Sequence, residues 1–593
     1  MRKPQPVKTD EISGLAGLPP DQLLPMVKAI AYSFQHADIC VPLVGGVFAS
    51  PGPGFFQYAC AKNGLLNQVN AITFHDYQAP TGIPFAVAAY RRWLAAFGKP
   101  SMPLWIGESG CPWPCGSGEA RPGRLPDMQS ALWITMKAIE ARACGISRYF
   151  AFCLPYFDRF GSNFGMMGKN CTPLRSMAAY VNCVAELSGW SYVGNLKIND
   201  PAVRLAPVFA RGDRRTAVVY TGVANPHATL GTVLQNISIR GIDGRRLHRN
   251  AAGSIPIPDG LVYLRGTAAT FAGKIQTDTQ AGRLYALSRR PPPEPRRHSP
   301  IILQLARAPG VWSARSYVLS NASNTPMVVH VWNLADHAKT VALTLRSYHS
   351  VAGHSSVQLS IRCQIPAHRY ASVQWNLGPL SKILGLGILR AHYLEVVGHE
   401  LSAKPNTPPI SPLAISIRMK GTLHQYLTLY PEHTRLHIGV LARWRQNANG
   451  ESSFFIPKGG GWGMKVTFHG SNPWAYPQFS LPGRIHAKRV VAVLLRARVI
   501  KSAMVRLMVF SKGRVPQDCT LSTPIIPADG KWHTVLVPLS RLTPMGHGPA
   551  PLRNLIGMGF IAVGLNNGDA SGSNKLEVSR LYLVYRPVPG HKS

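Results

Sequence analysis

Acidic residues are scarce in this chain: 26 Asp and Glu stand against 64 Lys and Arg, a formal net charge of +38 over 593 residues. So thin a supply of carboxylates argues against a calcium-laden protein. No run of ~18 apolar residues occurs, which excludes a transmembrane helix. Met1-Arg2-Lys3 is followed by Pro4, Gln5 and Pro6 rather than by an apolar stretch, so no signal peptide is readable. Cysteine is sparse, 10 in all, and eight of them precede residue 190. Cys111 and Cys115 form a CxxxC spacing with no second pair at zinc-ligand distance, so no metal is expected and buried thiols are the default. In an exported protein these two could join as a disulfide. There is also no basic helix and no nucleic-acid motif, so the positive charge does not read as nucleic-acid binding. The basic residues are spread along the chain, with Arg496, Arg498 and Arg506 on predicted strand faces. That distribution reads as a solvated surface suited to acidic surroundings, or to adhesion to an acidic polysaccharide.

What the chain does have is turn formers and apolar residues: 55 Gly, 50 Pro and a hydrophobic fraction of 46%. The length allows roughly three to five domains, and no short internal repeat is present. Over residues 1–190 helices and strands alternate. Leu23, Leu24, Val27, Ile30, Ala31 and Phe34 recur near the helical period and predict a helix over 20–35. Apolar strands are predicted over 38–48, 69–74, 104–107 and 148–154, with helices over 85–97, 125–144 and 173–188. Strands buried on both faces and joined by helices make a parallel sheet. Four such units are half of an eight-stranded β/α barrel.

Past Gly189 alternating strands take over. Residues 191–288 read as a β-sandwich docked on the barrel, with Asp243-Gly244 and Asp259-Gly260 as turns. Residues 289–300 form a stiff, Pro-rich, charged connector. Residues 300–405 fit an immunoglobulin-like sandwich. Pro405 to Pro412 is a second Pro-rich join, and 413–590 is again all strands. The expected fold class is therefore multidomain: a partial (β/α)8 TIM barrel carrying strands five to eight in residues 1–190, followed by three all-β sandwich domains, the last a jelly roll.

The chemistry concentrates in Pro103-Leu104-Trp105-Ile106-Gly107-Glu108-Ser109-Gly110. A buried-strand pattern runs into one carboxylate and then a Ser-Gly turn, the way a β/α barrel presents an acid at the C-terminal mouth of a strand. On these residues alone, Glu108 reads equally as a nucleophile or as a strand-end Glu paired with an arginine. The preceding strand ends His75-Asp76-Tyr77. The following one carries Phe150 to Leu154, and Asn163 to Gly168 with Cys171-Thr172-Pro173 leads into the last helix. Asp76 and Asp158 read as loop caps. In the C-terminal region Trp462, Trp474 and Tyr476 lie in Gly/Pro-rich surroundings, as sugar-binding aromatics would, whereas Trp532 reads as core.

Taken in order, these segments resemble strands five to eight of the clan A glycoside hydrolases, most closely the group with β-xylosidases and α-iduronidases. The resemblance covers about residues 20–190, and the sandwich at 191–287 looks like that group's partner domain. It implies a retaining glycoside hydrolase without a cofactor, in which Glu108 matches the nucleophile. His75 and Tyr77 match residues that hydrogen-bond near the nucleophile or the sugar, and Phe152 and Tyr156 border the sugar site. Asp529 to Pro538 and Leu576 to Val584 resemble jelly-roll carbohydrate-binding modules. The group's acid/base is a Glu after an Asn at the end of strand four, and no such pair precedes residue 20; Asp10 and Glu11 are the carboxylates nearest that place. The expectation is an N-terminally truncated hydrolase, weak or inactive as this chain, extracellular or at the cell surface by resemblance. The alternative is a non-catalytic carbohydrate-binding protein with a degenerate barrel.

Overall fold

The computed structural model describes residues 19–114, 121–159, 162–278 and 297–585, apart from several loops within the last two ranges. It is mostly sheet with few helices. The described residues fall into two compact units: 44–52 with 70–293, and the remainder up to 43, 53–69 and from 294 onward. All but the last four residues of the expected connector at 289–300 lie outside the described residues.

The unit holding 70–293 is built on four parallel strands in the order Val44–Phe48, Ala71–His75, Leu104–Ser109 and Arg148–Ala151. Parallel neighbours need helical crossovers, and Ile83–Ala96 and Arg124–Ala143 supply two of them. One sheet face is closed. Ile72, Phe74, Leu104 and Ile106 are buried, and Phe48, Phe74, Tyr90 and Trp93 form one aromatic cluster, with the Phe74 and Tyr90 rings 4.3 Å apart. The other face carries Thr73, Trp105 and Phe150 and is partly open: Val47 is 66% and Phe150 48% exposed. The first strand is shorter than the sequence predicts, because residues 38–42 are exposed and only Val44–Phe48 pairs.

Helices Arg124–Ala143 and Arg175–Leu187 then pack on a seven-stranded antiparallel sheet. Leu132, Met136, Ala179 and Leu187 meet Tyr192, Phe209, Val218 and Tyr263 in one core. The opposite face of that sheet has its own core, around Val208, Val219, Ile255 and Phe271.

In the other unit a three-stranded and a six-stranded sheet enclose a core of Leu303, Val329, Leu343, Val396 and Ile417. This sandwich runs past the boundary expected at 405. Leu413–Met419 pairs antiparallel with His392–Glu400 and parallel with Ser316–Leu319, so the Pro-rich stretch 405–412 joins two adjacent strands of one sheet. Helices Leu24–His36, Phe55–Lys62 and Leu65–Gln68 belong to this unit. The Asn63 amide brackets Ala414, donating to its carbonyl and accepting from its N–H, both at 2.8 Å, and Lys28 Nζ donates to the Pro412 carbonyl at 2.8 Å. The last region folds as two antiparallel sheets over a core that contains Trp444, Trp462, Phe479, Leu495 and Leu581.

Candidate active site

The strands Ala71–His75 and Leu104–Ser109 end together, with His75 opposite Glu108 beyond a bulge in the register. The Asp76 N–H donates to the Glu108 carbonyl at 2.9 Å, and the Phe152 N–H donates to the Ser109 carbonyl at 2.9 Å. Three strand ends thus close on each other at one rim. Gly110 is required there, because a Cβ at this position would collide with the Phe152 carbonyl. The Phe152–Cys153 peptide is cis.

At this rim His75 Nδ1 lies 3.1 Å from Glu108 Oε2, and the Tyr77 hydroxyl donates to the same oxygen at 3.0 Å. The Glu108 side chain is 30% exposed and that of His75 13%. A carboxylate held by two neighbours yet open to solvent has a fixed aim and a reachable oxygen, which suits nucleophilic attack. Phe152 stands beside Tyr77, ring centres 6.5 Å apart, and both meet Phe164 at 5.7 Å. Tyr156 meets Trp113 edge-on at 6.4 Å. The structure therefore brings Glu108, His75, Tyr77 and Phe152 together, and sets Tyr156 against Trp113.

Asp76 faces inward. It is fully buried, and its carboxylate accepts from the Gln78 N–H at 2.8 Å. Burial pushes its carboxyl up to about 6, with the Lys137 charge acting the other way. Lys137 is the residue that sequence reasoning missed. It lies on Arg124–Ala143, wholly buried, and its Nζ donates to the Gly110 carbonyl at 2.9 Å and reaches the Asp76 carbonyl at 3.5 Å. Its ammonium also lies 5.9 Å from the Tyr77 ring centre and 5.5 Å from that of Trp133. Burial pulls it down to about 8, opposed by Asp76. The signal was present in the sequence: a lysine among Ile134, Thr135, Met136 and Ile139, on the apolar side of its helix. The Ser109 hydroxyl also donates to the Asp76 carbonyl, at 2.7 Å.

Asp158 is exposed on a short strand of its own. Asp10, Glu11 and Cys115 lie outside the described residues, and Cys111 is a buried thiol. Trp462 is corrected: it is fully buried, 4.6 Å from Trp444 by ring centres, so no ligand can reach it. Trp474 and Tyr476 are half-buried and stacked at 5.7 Å with 14° between their planes. Among the described residues no helix is long and apolar enough to cross a membrane.

No family model matches this sequence, and no curated protein matches it. Among solved structures the chain is distantly similar to glycoside hydrolases and to carbohydrate-binding modules. A family 39 glycoside hydrolase from Bacteroides cellulosilyticus WH2 aligns with 44% of this chain and 56% of its own, at 16% identity and a TM-score of 0.33. A family 39 β-xylosidase from Caulobacter crescentus aligns over 41% and 61%, at 14% identity and a TM-score of 0.27. A family 11 carbohydrate-binding module of Clostridium thermocellum aligns over 26% and 98%, at 17% identity and a TM-score of 0.21. The chain thus spans little more than half of the first of these enzymes.

Proposed function

We propose that this is a carbohydrate-active protein whose strand-end rim is the nucleophile half of a retaining glycoside hydrolase site for poly- or oligosaccharide. One observation carries the reading: a partly exposed Glu108 carboxylate, one oxygen of which is held by both His75 and Tyr77. In a retaining reaction that oxygen attacks the anomeric carbon, the bond to the leaving oxygen breaks, and water later hydrolyses the glycosyl ester. His75 and Tyr77 keep the attacking oxygen aimed, and Phe152 and Tyr156 border the sugar. Trp474 and Tyr476, still half-exposed, are the aromatics offered to polysaccharide in the last domain. A location outside the cell or at its surface belongs to the same reading.

The leaving oxygen also needs a proton. Asp76, the other carboxylate described at this rim, is too deeply buried to supply it, and on this reading hydrolysis of ordinary glycosides by this chain is weak. The open face with Val47 and Phe150 favours the same view, since strands of a closed barrel bury that face. The test uses substrates whose departure needs no acid. Dinitrophenyl 2-deoxy-2-fluoroglycosides of xylose, glucose, galactose and arabinose are incubated with the chain, and its peptides are weighed. A glycosyl adduct on the peptide with Glu108, lost in Glu108→Gln, is expected. No adduct from any of the four would favour the second reading, a carbohydrate-binding protein without catalysis.

A further inference from the structure

The sheet made by Gly450–Phe455, Trp462–Phe468, Ser573–Tyr585, Val490–Ile500 and His533–Pro538 has a face turned away from the core. Part of that face is closed by the helix Leu423–Leu429, whose Tyr426 packs with Leu494, Leu536 and Val584. The rest is open. One row of residues crosses it: Phe455 opposite Gly463, Gly463 opposite Glu577, Glu577 opposite Arg498. Trp532 ends the row under two guanidinium groups, Arg498 at 5.0 Å and Arg496 at 5.3 Å. Trp532, expected in the core, is half-buried here. The neighbouring row sets Lys465 opposite Lys575, and their ammonium groups lie 5.9 and 4.9 Å from the Phe455 ring centre.

Four cations therefore line these two rows, and two of them, Arg498 and Lys575, bind the one carboxylate there. Glu577 is buried, 2.6 Å from Arg498 Nε and 2.5 Å from Lys575 Nζ. Burial works to raise its carboxyl, but the hydrogen bonds from Arg498 and Lys575 outweigh it and hold it below the usual glutamate range. One carboxylate cannot balance four positive charges. Two further acids lie toward the ends of the row: Glu451, four residues before Phe455 on the same strand, and Asp529, three residues before Trp532 and paired with His533 at 2.8 Å.

We propose that this face binds an anionic polysaccharide, a chain of uronate-bearing sugars laid across the strands between Phe455 and Trp532. The proposal rests on the carbohydrate reading above but on no chemistry at Glu108. Charge complementarity carries it, because a neutral glycan has no use for four clustered cations. A guanidinium group carries a fork of N–H donors that fits a carboxylate, and two such groups lie over the Trp532 ring. A nucleobase, by contrast, needs an open ring face, and here guanidinium groups cover a face of Trp532 while Phe455 lies against Gly463. Five strands at ~4.8 Å spacing make a track of roughly 19 Å, room for several linked sugar rings.

The test is affinity electrophoresis of the full chain in gels containing polygalacturonate, neutral xylan, dextran sulfate or single-stranded DNA, at several salt concentrations. Polygalacturonate is expected to retard the chain most. Its log–log salt slope should lie between about −2 and −3, as three or four cations engaged at ~0.7 each would give. The variant Lys465→Gln with Arg496→Gln, which leaves Glu577 its two partners, should weaken that binding about tenfold and reduce the slope by roughly 1.4. Glu108→Gln, which loses the adduct, should be retarded by polygalacturonate like the parent. Equal or stronger retardation by xylan, dextran sulfate or DNA would overturn the proposal, as would a double variant that binds polygalacturonate like the parent. An absent adduct at Glu108 with these results intact would count against the hydrolase reading alone.

Discussion

Lys137→Met is the most revealing perturbation of the strand-end rim, since it removes a charge while nearly preserving a volume. The Gly110 carbonyl loses its 2.9 Å donor. An unsatisfied buried acceptor costs about 1–3 kcal/mol, and Asp76 loses the cation that opposes its burial. Removing a desolvated ammonium returns part of this cost, so the net loss should be about 2 kcal/mol. Hydrogen exchange of peptides covering 104–112, read by mass spectrometry, samples this rim without interference from the sandwiches. Exchange there should accelerate roughly 30-fold at neutral pH, as 1.4 kcal/mol per tenfold dictates. The pH dependence supplies a second signature. Asp76 keeps its proton in the folded state to about pH 6, against 3.8 for an ordinary aspartate. The folded state therefore binds more protons across that interval, and stability falls as pH rises through it. Its full contribution is present below about pH 4. In Lys137→Met burial acts on Asp76 without the compensating charge, so the decline should extend above pH 6, and Asp76→Asn should abolish it in both backgrounds. An exchange rate unchanged in Lys137→Met at neutral pH would refute the claim that this ammonium ties the strand ends.

Two predictions concern the helices that hold Leu413–Met419. Asn63→Ala strands a buried N–H and a buried C=O of Ala414; the expected loss is about 2–4 kcal/mol, read as earlier unfolding in urea, whereas Asn63→Asp should recover the acceptor half only. Lys28 is buried, and burial pulls its ammonium down to about 7 from the ordinary 10.5. Between those values the unfolded chain binds more protons, so stability should rise with pH from about 7 to 10. Lys28→Met should flatten that rise in a series of thermal unfolding curves, and a variant whose slope matches the parent would contradict it.

Much of this was written in local pattern. The run Ala71–His75 is apolar enough to be buried on both faces, and the strand to Glu108 ends in the Ser-Gly turn that lets the rim close, so strand, carboxylate and neighbours were legible together. Trp462 was legible too, and was misread: Trp462, Met464, Val466 and Phe468 alternate with polar or small residues, which puts the tryptophan on the core side of its strand. Gly/Pro-rich flanks had suggested exposure, but side-chain direction follows the pleat, not the flanks. Other features had no local signature. Asn63 and Ala414 are 351 positions apart, and a proline-rich stretch looks the same whether it separates domains or turns between two strands of one sheet. The row from Phe455 to Trp532 exists only through register, since its members come from five separate segments.

Catalysis and adhesion make different physical demands, and the two proposals assign them to different places in this chain. As the proposed nucleophile, Glu108 would need hydrogen bonds that hold within tenths of an ångström, and these rest on Lys137, Ser109 and the closeness of Gly110 to Phe152. A small displacement of that rim is enough to lose orientation-dependent rate. Binding through clustered cations tolerates such displacement, because charge attraction falls off gradually with distance. A substitution that loosens the rim should therefore remove adduct formation at Glu108 long before it alters retention on polygalacturonate. Gly110→Ala is the decisive case. Its Cβ must push the Phe152 carbonyl away and so tilt the Glu108 strand end, and it should abolish the adduct while leaving the salt slope of polygalacturonate binding unchanged. Parallel loss of both in a folded variant would mean that one site serves them, and the division of labour argued from these residues would fall.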